Sequence, residues 1–183
     1  AALVSHFGAG NVTPGNKAFD IHENTYRVDA DVVACFECRY YQADGSYVTA
    51  TAFIPTSGGR IDNFPEQNYT NGVAKNDATG RRFKAVVRIL KNLRNAMAEE
   101  DIAAAGPVPS YLLECLAWNV PIDGFGHDTY WSDVRETLAH IFNATLEAGP
   151  CKHWTEVNDI KYLFHVSQPW TYQQAHGFAD AAW

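Results

Sequence analysis

Residues 26–41 read YRVDADVVACFECRYY. β-Branched and aromatic side chains dominate this run, and they fit a pleated strand far better than a helix. Alternation sorts the side chains into two sets. Asp29, Asp31, Val33, Cys35, Glu37 and Arg39 fall on one face; Ala30, Val32, Ala34, Phe36, Cys38 and Tyr40 fall on the other. The second face is apolar and is expected against a core. The first sets carboxylates on a rigid element at the edge of that core, the support that a divalent-metal site uses. Acids on a solvated strand face are the alternative reading of the same pattern.

The strand-forming character extends around this run. Residues 18–23 read as a short strand, 26–42 as a long one, and Asp44–Gly45 as a hairpin turn returning into a strand at 47–54. Gly58–Gly59 turns the chain into 60–63, which completes a β-meander. Before it, residues 1–7 read as the last turns of a helix stopped by Gly8 and Gly10.

From Pro65 the character changes. Residues 65–80, PEQNYTNGVAKNDATG, are polar and turn-rich and read as a connection. Residues 81–100 form a long helix with an apolar stripe of Phe83, Val86, Leu90, Leu93 and Met97. A second helix is expected at 109–119, and a third at 130–148 with Val134, Leu138, Ile141, Phe142 and Leu146 facing inward. A fourth is expected at 169–183. The architecture is α+β: a small antiparallel or mixed sheet over residues 1–64 followed by a helical bundle over 65–183.

Hydrophobic residues at 46% and aromatics at 13% supply a real core for 183 residues. A net charge of −7 argues against a broad basic surface for duplex nucleic acid, although local basic stripes are compatible with it. No apolar run approaches the roughly 20 residues needed to cross a bilayer, and no signal peptide is recognisable. A soluble, cytoplasmic protein without a membrane partner is expected. The four cysteines make no disulfide framework, and Cys35 and Cys38 fall on opposite faces of one strand. Reduced and mostly buried thiols are expected. The seven histidines follow no metal-ligand spacing, and His140, mid-helix, reads as a partly buried packing residue.

Two groups of residues carry chemistry beyond the acidic strand. Lys84, Arg88 and Lys91 share one face of the helix at 81–100, with no acid interleaved. Such a stripe suits a triphosphate, to which Lys and Arg donate charge-assisted hydrogen bonds; a solvated helix face is the alternative. Ser110 and Tyr111 open the next helix after Pro107 and Pro109. A helix N-terminus and a hydroxyl there can meet phosphate, and the tyrosine offers a face for a base to stack on. Simple capping by Ser110 and packing by Tyr111 are the alternative.

In order along the chain stand VDADVV, FP…NG…KN…T, RFKAVVRILKNLR, VPSYLLECLAW and LF…QPWTYQQA. This series resembles the bacterial cGAS/DncV-like nucleotidyltransferases, relatives of the oligoadenylate synthetases in the DNA polymerase β-like superfamily. The similarity covers nearly the whole chain. The resemblance implies an enzyme that joins nucleoside triphosphates into a cyclic or short linear oligonucleotide, releases pyrophosphate and uses Mg²⁺. In a bacterial setting it suggests anti-phage signalling; no activator is identified.

The family's third metal-binding acid is followed by two apolar residues and then Pro-Ala-Phe or similar. That pattern falls on Asp31, with Ala34 where the proline usually stands. Asp29 is a second, weaker candidate metal ligand. Lys91 matches the family lysine that contacts phosphate, and Ser110 and Tyr111 match its phosphate-contacting serine and base-stacking tyrosine. Lys84 and Arg88 join them by helical geometry alone. The family's Gly-Ser turn and Asp-x-Asp pair have no counterpart in residues 1–25. The expectation is therefore a C-terminal portion, inactive without the missing N-terminal part of the same enzyme. A non-catalytic nucleotide- or RNA-binding module of the same fold is the second reading, and a helical interaction domain the third.

Overall fold

Strands and helices segregate along the chain as the strand-forming and helix-forming residues do. A computed structural model describes residues 2–183, and the chain divides into two units, Ala1–Glu66 and Gln67–Trp183. The fold is α+β, as expected.

In the first unit, helix α1 (Ala2–Phe7) closes at Gly8, whose φ of 87° suits a residue without a Cβ. Strands β1 (Val12–Pro14), β2 (Phe19–Ile21) and β3 (Ala30–Val32) form an antiparallel sheet in that order. Strands β4 (Phe36–Tyr41), β5 (Tyr47–Phe53) and β6 (Ile61–Asn63) form a second antiparallel sheet. The hairpin between β4 and β5 is built as Asp44–Gly45 predicts. Asp44 Oδ1 accepts the Ser46 N–H at 2.9 Å and its hydroxyl at 2.6 Å, and Gly45 takes a φ of 85°.

Two expectations fail here. The long strand at 26–42 is two strands, β3 and β4, in different sheets. The face expected against a core also lies open: Phe36 is 76% exposed. β4 is an edge strand. The middle strand β5 holds the buried places of that sheet, at Ala50, Ala52 and Phe53.

In the second unit, α3 (Arg82–Glu99) buries Phe83, Val86, Val87, Leu90 and Met97, the expected stripe, while Leu93 is partly buried against the same core. Helices α4 (Ser110–Trp118), α5 (Tyr130–Ala144) and α7 (Tyr172–Ala182) pack on that core through Leu112, Leu113, Leu116, Val134, Leu138, Ile141 and Phe178. A short helix α6 (Ala148–Cys151) lies between α5 and α7. α7 opens with a capping box in which Thr171 and Gln174 satisfy each other's backbone N–H groups.

The polar connection expected at 65–80 is instead helix α2 (Pro65–Ala78). Its buried residues are Gly72 and Asn76, so no apolar stripe announces it. Polar bonds hold it in place. Asn71 donates to the Val157 carbonyl at 2.9 Å, Lys75 donates to the Trp118 and Val120 carbonyls at the end of α4, and Asn76 Oδ1 accepts the Lys84 N–H at 3.1 Å. The helix expected to run to 148 stops at Ala144, where the Thr145 hydroxyl donates back to the Ile141 carbonyl at 2.6 Å. Leu146, expected inside, is exposed.

Cys115 and Cys151 are buried, whereas Cys35 is exposed and Cys38 half-buried, so the thiols are not mostly buried. Cys35 lies between β3 and β4, not on a strand. His140 is half-buried and stacks on Trp154 at 5.7 Å, and burial lowers its pKa.

Candidate functional site

The acidic row belongs to the first sheet. Its register sets Asp20 of β2 opposite Asp31 of β3, with Thr13 of β1 opposite Asp20. Directly opposed residues on antiparallel strands share a face, so two carboxylates stand side by side there. Like charges so placed repel, and a cation between them removes the repulsion. No hydrogen bond or ion pair engages the Asp31 side chain among the described residues. Asp29 lies just before β3 and is otherwise occupied: its Oδ1 accepts the Glu23 N–H at 2.6 Å. Among the described residues no group of three or more His, Cys, Asp and Glu side chains gathers to hold a metal. The row presents hard oxygen ligands of the kind Mg²⁺ takes, but too few for two ions.

The second set belongs to the second unit, where α3 and α4 lie side by side. Lys91 Nζ meets Glu114 Oε2 at 3.0 Å. One helical turn further, Arg94 Nη2 donates to Ser110 Oγ at 2.9 Å and its Nη1 donates to the Val108 carbonyl at 3.3 Å. The two rungs run in opposite directions along the two helices, 91 to 94 against 114 to 110. Lys91, Ser110, Arg94 and Glu114 therefore form one polar strip along the first half of α4.

Ser110 is the first residue of α4, after Pro109 at the N-cap, and makes no capping bond. Its hydroxyl points to Arg94 instead. The cationic stripe does meet an acid at Lys91, but Glu114 comes from the neighbouring helix, where spacing along α3 cannot reveal it. Lys84 is half-buried near the start of α3, and Arg88 is exposed. Arg94, which is not among the expected site residues, continues the same stripe three residues beyond Lys91.

Tyr111 sits next to Ser110 and is only partly buried. Its hydroxyl donates to Glu156 Oε2 at 3.0 Å and lies 3.2 Å from Asn68 Oδ1 of α2. Its ring flanks that of Trp170, with centroids 6.2 Å apart. Burial, with Cys115 and Glu156 close by, pushes the phenol pKa well up, so Tyr111 stays a neutral donor. Burial likewise pushes the Cys115 thiol up to about 12, which leaves it inert at neutral pH.

Residues 70–183 match the model of the cGAS/DncV-like nucleotidyltransferase C-terminal helical domain. The chain belongs to the cGAS/DncV-like nucleotidyltransferases. Over 184 residues it is 45% identical to the cyclic dipyrimidine nucleotide synthase CdnE of Legionella pneumophila, covering 100% of this chain and 61% of that relative. It is 37% identical to the enzyme of the same name from Cecembia lonarensis, covering 100% of this chain and 62% of the relative. The CdnE cyclic dinucleotide synthase of Elizabethkingia meningoseptica, solved with GTP and Apcpp, superposes with a TM-score of 0.89 at 31% identity, covering 100% of this chain and 66% of that one. The chain thus spans about three fifths of the length of these curated relatives. The cGAS/DncV-like fold accounts for the change of character at Pro65, because the matched helical domain begins a few residues later.

Proposed function

We propose that this chain contributes to a nucleotidyltransferase that joins nucleoside triphosphates into a cyclic dinucleotide or short oligonucleotide with release of pyrophosphate. Lys91 and Ser110 hold the triphosphate, Lys84 and Arg88 add positive charge along α3, and Tyr111 stacks on a base. Asp31 supplies one carboxylate to a Mg²⁺ site, with Asp29 as a weaker ligand. Mg²⁺, when bound, would neutralise negative charge on the phosphate at whose phosphorus the new P–O bond forms and pyrophosphate leaves. Two ions need more carboxylates than the Asp31 row presents. The proposal assigns those to the part of the relatives' length that this chain does not span.

The observation that carries this reading is the polar strip in which Lys91 and Arg94 of α3 lie abreast of Glu114 and Ser110 of α4. It puts one cation, Arg94, and a hydroxyl at a helix N-terminus, with a second cation, Lys91, one turn further along and paired to Glu114, beside a half-buried tyrosine. Each of these favours an anion, and together they suit a phosphate chain ending in a base. The names of the Legionella and Cecembia relatives make UTP and CTP the first triphosphates to test. The test is calorimetric titration with UTP, CTP, ATP and GTP in the presence of Mg²⁺. Absence of binding by folded protein overturns the reading; binding that weakens in Lys91→Ala supports it.

A further inference from the structure

Glu156 is a carboxylate buried to 3% exposure in the loop between α6 and α7, and the assigned chemistry leaves it without a role. A buried carboxylate persists only when its charge and its lone pairs are met. Here four donors meet it. Oε2 accepts from the Tyr111 hydroxyl at 3.0 Å and from Asn158 Nδ2 at 2.7 Å. Oε1 accepts from Gln168 Nε2 at 2.7 Å and faces Lys161 Nζ at 3.3 Å, which balances the charge. An ionised carboxyl group has about four acceptor sites and no donor, so this set fills it.

The loop around Glu156 is fixed on several sides. Asn119 beyond the end of α4 exchanges hydrogen bonds with Thr155, at 2.8 Å to its carbonyl and 3.1 Å from its N–H. Asn158 Oδ1 accepts the N–H groups of Ile160 and Lys161. Trp170 is held by its own Nε1–H, which donates to the Leu163 carbonyl at 2.8 Å. The Tyr111 ring is therefore held at its hydroxyl by an acceptor with three further partners and flanked by a hydrogen-bonded tryptophan. Its phenol has one proton for two acceptors, and the charged one takes it.

We infer that Glu156 is a positioning residue for base recognition: it holds the Tyr111 ring in one orientation through the hydroxyl, so that the stacking platform is already formed before the nucleotide arrives. This rests on the reading of Tyr111 as the residue that stacks on the base. Glu156 need not touch the nucleotide. Its negative charge is essential to the role, because an amide of the same shape would turn an N–H₂ toward groups that are themselves donors. A platform that must be ordered at each binding event costs affinity roughly in proportion to the freedom it loses.

The test is a double-mutant cycle with Glu156→Gln and Tyr111→Phe in the full chain, with unfolding temperature recorded for each protein. UTP and ATP with Mg²⁺ are the probes, and the ¹⁹F signal of 3-fluorotyrosine at position 111 reports ring order without nucleotide. Glu156→Gln is expected to broaden or average that signal and to weaken nucleotide binding roughly 3- to 10-fold. Tyr111→Phe is expected to weaken it similarly, and the double variant to be no worse than the worse single one. An unchanged ¹⁹F signal in folded Glu156→Gln, or additive losses in the double variant, overturns the inference. So does wild-type affinity in Tyr111→Phe, which removes the hydroxyl alone and serves if Glu156→Gln does not fold. Tyr111→Ala separates the two layers. If it binds like wild type, the stacking reading falls; if it loses affinity while Tyr111→Phe does not, only the role of Glu156 falls.

Discussion

The two units hold their candidate residues in opposite ways. In the first unit, Asp31 stands on a three-residue strand with Asp20 opposite it, and no hydrogen bond or ion pair engages its side chain among the described residues. The buried apolar side chains there are few: Val12, Ile21, Ala50, Ala52, Phe53 and Phe64. In the second unit, Lys91, Ser110 and Tyr111 all have partners, and their helices rest on fully buried Phe83, Leu90, Leu112 and Leu116. A carboxylate row left unengaged keeps its charge for a cation. A hydroxyl, a lysine and a ring that are already oriented spare a ligand the cost of orienting them. Under the proposed function, the first arrangement suits charge neutralisation at the reacting phosphate, and the second suits recognition of the rest of the nucleotide.

The largest effect is expected where that contrast is sharpest. In a protein spanning the relatives' full length, Asp31→Asn should lower product formation by roughly a thousandfold under the proposed metal role, because a metal ligand contributes several kcal/mol of charge stabilisation. Its unfolding temperature should stay near wild type, or rise slightly, since the substitution also relieves the repulsion from Asp20. Product measured by chromatography at saturating triphosphate decides it, and wild-type turnover would falsify the metal role of Asp31.

Next in size is the difference between the two cores. Phe83→Ala removes a fully buried ring from the second unit and should cost about 3–5 kcal/mol in urea unfolding. Phe36→Ala removes an exposed ring on an edge strand and should stay within about 0.5 kcal/mol. Equal losses would mean that Phe36 is covered in solution.

These differences also explain which features the sequence exposes. The stripe of α3 is legible because each buried side chain is apolar and recurs every three or four residues. Helix α2 is not, because its buried positions are Gly72 and Asn76 and its fastenings are Asn71 and Lys75. Periodicity registers apolar burial and misses polar burial. The break between β3 and β4 is equally hidden: two strands in different sheets keep the same alternation as one long strand. Asp31 stands out from its neighbours by pattern, whereas Asp20 gains meaning only from register. Glu156 has only part of its signal nearby: Asn158 and Lys161 are local, but Tyr111 and Gln168 reach it from elsewhere in the chain.

A smaller effect tests the polar strip. Lys91→Ala should raise the KM for triphosphate roughly tenfold with little change in kcat, if the contact is equal in ground and transition states. Glu114→Gln should act in the opposite direction. It frees Lys91 from a partly exposed ion pair worth about 0–1 kcal/mol, so the KM should fall by no more than about fivefold. A rise in KM would show that Glu114 orients Lys91 and does not compete with the nucleotide.

The last effect concerns the helix that periodicity could not see. Lys75 of α2 lies within 5.1–5.8 Å of the centres of the Phe83, Trp118 and Phe125 rings, and burial lowers its pKa from 10.5 to about 8. Between about pH 8 and 10.5 the unfolded chain therefore holds this proton while the folded chain has released it. Stability contributed by that difference rises with pH across the window. Tyr111 and Cys115 pull the other way, because their raised folded pKa values make the unfolded chain lose protons first. Lys75→Met isolates the lysine: the difference in unfolding free energy between wild type and variant should move in favour of wild type as pH rises from 8 to 10.5. A difference that stays flat across that range would mean that the two carbonyls and three aromatic faces stabilise the ammonium enough to cancel its desolvation.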